Sequence, residues 1–119
     1  VVDTNELSLE LSPGLEAPAV ARAELRARFG GRISPEHLLD LQSAVSELVA
    51  TAALANGDKP VRLEVRRIED ELHGRVSEPS LAQELERRRD EEEGVLFRFL
   101  DAITWAWGAE ADHAWFVIR

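Results

Sequence analysis

The stretch VRLEVRRIEDELHGRVSEPS runs from Val61 to Ser80. Val61, Leu63 and Val65 alternate with Arg62, Glu64 and Arg66, the period of a strand with one buried face. Leu72 to Val76 repeats the alternation, and the polar turn Glu69-Asp70-Glu71 between the two runs predicts a hairpin. A hairpin makes at least part of the sheet antiparallel, and its apolar side has to be covered by something else in the chain.

Two helices are predicted before it. Ser34, Pro35 and Glu36 read as an N-cap, a first helical position and an acid at the positive helix end. That helix runs to about Asn56, with Gly57 as a left-handed cap, and its buried stripe is Leu38, Leu41, Val45, Leu48, Val49 and Ala52. A shorter helix starts near Pro18 and runs to Phe29, with Ala17, Ala21, Leu25 and Phe29 at i+4 spacing. Further upstream, Leu7, Leu9 and Leu11 alternate with Ser8 and Glu10, a half-buried strand that Pro13-Gly14 ends.

After the hairpin, Leu81 to about Glu92 is built of strong helix formers, and Glu84 and Arg88 form an i,i+4 pair in the favourable order. Val95 to Trp107 is apolar almost all round and reads as a deeply buried helix. His113 to Arg119 reads as a strand with apolar groups on both faces. The expected architecture is α+β, a two-layer sandwich. A mixed or antiparallel sheet carries helices near 18–29, 35–56 and 95–107 on one face, in a single domain over residues 1–119.

Composition narrows the function. The 119 residues contain no cysteine, which excludes disulfides, thiolate zinc sites and cysteine catalysis. The net charge of −9 opposes binding to phosphate backbones, so no nucleic-acid partner is expected, although Arg62, Arg66 and Arg67 are candidates for a local basic patch. No membrane partner is expected: no uninterrupted apolar run approaches the roughly 18 residues of a span, and no leader pattern opens the chain. Position 1 is Val, so the chain reads as part of a longer translation product.

Three pieces in this order resemble the GHKL ATPase superfamily, the Bergerat fold, and within it the short anti-sigma-factor serine kinases. The first is AVSELVATAALANG, Ala44 to Gly57, which is similar to the family helix S-E-L-V-x-N-A. The second is the hairpin stretch quoted above, which looks like the family hairpin ending in V-x-D-x-S. The third is GVLFRFLDAITWAWG, Gly94 to Gly108, which looks like G-x-G-L followed by L-V-D-A-L and a W-G turn. The closing HAWFVIR is similar to the family's last strand.

The resemblance implies a set of roles. In the family the helix Asn binds magnesium, the Glu before it polarises water or the substrate hydroxyl, the Asp after the hairpin takes the adenine amino group, and glycines let backbone approach phosphate. Glu47 matches the family Glu, but Thr51 stands at the Asn position, Glu78 at the Asp position, and Leu96 at the second glycine after Gly94. A threonine is shorter and rotamer-restricted on a helix, and glutamate moves its carboxylate by about 1.5 Å. A leucine blocks the approach of phosphate to backbone. The resemblance makes Leu81 to Glu93 the family's flexible lid over ATP, and it ends in four acids, Asp90 to Glu93, which repel phosphate if they face it.

The plainer alternatives are a solvated helix acid for Glu47 and a hydroxyl bonded back to a helix carbonyl for Thr51. His37, His73 and His113 lie in different elements without ligand spacing, so no metal site is expected. Arg87 to Arg89 and the acids around them read as a self-paired, solvated helix.

The leading expectation is a degenerate regulatory module acting through a protein partner, a sigma factor or an anti-anti-sigma-like protein, with no cofactor. The alternatives are an active ATP-dependent serine protein kinase using Mg-ATP through Glu47, and a small-molecule sensor using the former ATP cleft. The resemblance places the protein in the cytoplasm and implies a homodimer. Parity in the last strand points Trp115 and Val117 away from the helices, as an expected interface patch.

Overall fold

The computed structural model describes residues 5–56, 58–91 and 94–119. In chain order they form β1 (Glu6–Leu11), α1 (Ala17–Phe29), α2 (Pro35–Asn56), β2 (Val61–Ile68) and β3 (Glu71–Ser77). These are followed by α3 (Leu81–Glu91), α4 (Val95–Ile103), β4 (Ala106–Glu110) and β5 (His113–Ile118). The five strands make one sheet ordered β1-β2-β3-β5-β4, with every neighbouring pair antiparallel. The protein is α+β.

Register gathers most of the sheet's apolar side chains on one side. Leu9 pairs with Leu63, Leu63 with Val76, and Val76 with Ala114, so one row of small and branched side chains crosses the sheet under the helices. These groups join the α1 stripe Ala17, Ala21, Leu25 and Phe29 and the α2 stripe in one core. Ser34 caps α2 as expected, its Oγ accepting the His37 N–H at 3.1 Å. Gly57, the expected cap at the other end, lies outside the described residues. By length and composition α2 is apolar enough to cross a membrane, but here its stripe is the centre of the core.

One glycine is required by a close approach. At Gly74 on β3, a Cβ would sit 2.0 Å from Cζ of Phe116, so the ring of this buried phenylalanine occupies the space a side chain would need.

The opposite face carries a charge ladder. Glu6 is paired with Arg66 at 2.7 Å and Arg62 with Glu64 at 3.3 Å, while Arg67 instead donates to the Arg32 carbonyl at 3.0 Å. The three arginines are therefore spent on separate partners and do not form the basic patch that was a candidate.

The sequence reading misplaced one boundary. The helix expected over 95–107 ends at Ile103, and Ala106–Glu110 is the edge strand β4, in a hairpin with β5. Thr104 is extended (φ −113°, ψ 155°), its Oγ1 donates to the Leu100 carbonyl at 2.7 Å, and the Trp105 N–H already donates across to Val117 O at 2.8 Å. Trp107 is thus on a strand. Its ring meets Phe97 edge-on at 4.8 Å and its Nε1–H donates to Asp101 at 2.7 Å.

Candidate functional site

Glu47 and Thr51 lie one turn apart on α2, and they differ in surroundings. Glu47 is exposed, whereas Thr51 is buried. The Thr51 hydroxyl donates to the Glu47 carbonyl at 2.8 Å, the back-bond expected of a helical threonine. Its polar group is committed inside the helix.

Glu78 follows β3 and is 2% exposed. Its Oε2 accepts the Ser80 N–H at 2.9 Å, and its backbone N–H donates to Asp112 O at 2.9 Å in the β4–β5 turn. Leu81 N–H donates to Glu78 O at 3.0 Å. Glu78 therefore builds the entry to α3. Its other oxygen, Oε1, is buried and has no hydrogen-bond partner among the described residues. Such a lone acceptor is costly unless a proton or donor reaches it.

Gly94 adopts a left-handed conformation (φ 71°) immediately before α4. Leu96 turns into the core and is 6% exposed. Glu47 and Leu96 do come together: with Arg88, Val95 and Phe99 they line a pocket of about 170 Å³. Thr51 and Glu78 do not line it. Arg88 and Phe99 were missed in the sequence. Arg88 had a usable signal, since the Glu84–Arg88 spacing that predicts α3 also fixes which way its side chain leaves the helix.

The segment α3 decides what this region can hold. It is helical, as its composition predicts, and packs against α2, α4, β4 and β5. Leu81 and Leu85 are 0% and 1% exposed, so α3 is part of the core. Its outer side is self-paired: Arg87 and Arg88 contact Glu84, and Arg89 contacts Glu86 at 3.6 Å. The bond from Arg87 holds the Glu84 carboxyl below its ordinary value, against the opposing pull of burial, with Arg88 adding to it. Of the acids Asp90 to Glu93, none has a described side chain.

These residues do not fit Mg-ATP. The pocket is smaller than the roughly 300–1,000 Å³ of small-molecule sites, Thr51 is tied to its own helix, and Leu96, where the resemblance would put a glycine beside phosphate, is buried in the core. The lone Oε1 of Glu78 has the chemistry to accept an amino group.

The outer sheet face also departs from expectation. Trp115 and Val117 do point away from the helices, opposite Arg75 and His73. Trp115 is nevertheless half-buried, with its ring lying over Gly108, where a Cβ would come within 2.9 Å of it. Val117 is only 8% exposed, set between His73 and Ala106 in register. The exposed apolar pair anticipated from strand parity is thus largely covered within the chain. Cross-strand packing of a tryptophan onto a glycine achieves this.

Compared with known proteins, the chain matches no family model. No curated protein matches it either.

Proposed function

We propose that this chain is a regulatory module of the GHKL type, anti-sigma-factor-like, that acts by holding a protein partner and does not turn over ATP. The observation that carries the reading is the seating of α3. Leu81 and Leu85 are buried where the resemblance would put a lid over nucleotide, and a core helix cannot open for ATP without exposing them. The exchange of Asn, Asp and Gly for Thr51, Glu78 and Leu96 supports the same conclusion from the side chains. A cytoplasmic location belongs to this proposal. The partner class it names is a sigma factor or an anti-anti-sigma-like protein.

The test is complex formation with sigma factors and anti-anti-sigma-like proteins from the same organism, with and without Mg-ATP. The proposal expects a complex whose affinity is the same in both conditions. A complex that needs Mg-ATP, or phosphoserine appearing on the partner, would assign the chain to the working kinases instead.

A further inference from the structure

The open edge of β1 has a built surface next to it. Arg67 N–H donates to Asn5 O at 2.7 Å, which fixes the antiparallel alternation. Counting by two, Leu7, Leu9 and Leu11 direct their backbone groups to β2, and Glu6, Ser8 and Glu10 direct theirs outward. Arg28 from α1 donates to the outward Glu6 carbonyl. The outward backbone groups of Ser8 and Glu10 have no such partner among the described residues.

Beside these two residues, β1 and α1 enclose a groove of about 390 Å³. Its apolar floor is Leu9, Leu11 and Val20, and Val20 is 46% exposed. Its rim carries three exposed carboxylates, Glu10 on β1 and Glu16 and Glu24 one turn either side of Val20 on α1.

We propose that this edge takes an extended segment of a partner protein as an added strand, with apolar residues alternating with lysine or arginine. Main-chain bonds to Ser8 and Glu10 would supply the pairing, as in other strand additions. Apolar side chains would continue the inner face over Leu9 and Val20, basic ones would meet Glu10 on the outer face, and Glu16 and Glu24 at α1 would add to the negative field that draws them in. A second copy of this chain is the poorer match on charge. Pairing β1 with β1 about Ser8 sets Glu6 opposite Glu10 twice, and like charges directly opposed destabilise a sheet. The net charge of −9 steers a basic segment in and a second copy away.

The proposal deepens the partner-binding reading and rests on it for the existence of a partner. Its test does not involve nucleotide, so the two can fail separately. The probe is the synthetic peptide acetyl-Lys-Val-Arg-Val-Arg-Val-Lys-amide, titrated into the intact chain and followed by amide chemical shifts and hydrogen exchange. Saturable binding is expected, with slowed exchange at Ser8 and Glu10. The double variant Glu10→Lys, Glu24→Lys is expected to weaken it about tenfold or more while leaving the melting temperature within a few degrees. A peptide N-methylated at alternate amides should lose binding, because it keeps the charge and removes the pairing.

Absence of saturable binding at millimolar peptide would overturn the proposal. So would equal affinity for the N-methylated peptide, perturbations centred away from β1, or self-association of the chain through β1.

Discussion

Replacing Leu85 by alanine asks whether α3 is core or cover. The side chain is 1% exposed, in the middle of a helix that packs against α2, α4, β4 and β5. Removing three carbons' worth of burial costs about 2.4 kcal/mol at about 0.8 kcal/mol each, and the residual cavity raises this to about 3 kcal/mol. For a chain of this size a loss of about 3 kcal/mol lowers the melting temperature by roughly 10 °C. The assay is thermal and urea unfolding of the wild type, Leu85→Ala and the exposed control Gln83→Ala, which should stay within about 0.5 kcal/mol. A cover that opens on its own would behave differently. Its local opening would absorb the loss, the global transition would shift by no more than about 2 °C, and α3 amides would exchange far faster than those of α2. That pattern would refute the assignment of α3 to the core.

Gly74→Ala drives a methyl into the Phe116 ring and should cost about 2–3 kcal/mol in urea unfolding, with Phe116→Leu in the same chain restoring part of it. Glu84 has a lowered folded-state pKa, so its contribution to stability is full above the unfolded value near 4.5 and fades as pH falls through the folded value. Melting curves of wild type and Glu84→Gln should accordingly differ at pH 6 and converge in strong acid. Trp115→Ala uncovers Gly108 and should lower the melting temperature by roughly 5 °C with an unchanged sedimentation profile, whereas an interface tryptophan would change sedimentation first.

Much of the architecture is legible in local periodicity, because one-sided burial imposes it. The alternation at Leu7–Leu11 and Val61–Val65, the Ala17–Phe29 stripe and the Ser34 cap each correspond to an observed element. The Val95–Trp107 stretch fails for the same reason. A segment apolar on every side carries no period, and its change from helix to strand at Thr104 is decided by pairing with β5, far along the register from any local signal. Trp105 and Trp107, alternating with alanine beside a β-branched threonine, were the trace of β4 in the sequence. In the candidate site, residue identities at Thr51, Glu78 and Leu96 were legible, but the internal bond of Thr51 and the lone Oε1 of Glu78 depend on tertiary placement. Trp115 faced the side that strand parity predicted, yet parity could not reveal that Gly108 would let its ring lie flat.

Under this proposal neither the Glu47–Leu96 pocket nor the Glu78 carboxylate holds nucleotide. Isothermal calorimetry of the intact chain with Mg-ATP tests it most directly, with the three tryptophans as a parallel fluorescence probe. No saturable heat and no fluorescence change are expected up to millimolar Mg-ATP. Saturable binding below millimolar, lost on Glu78→Ala, would contradict it and reopen the cleft beneath α3.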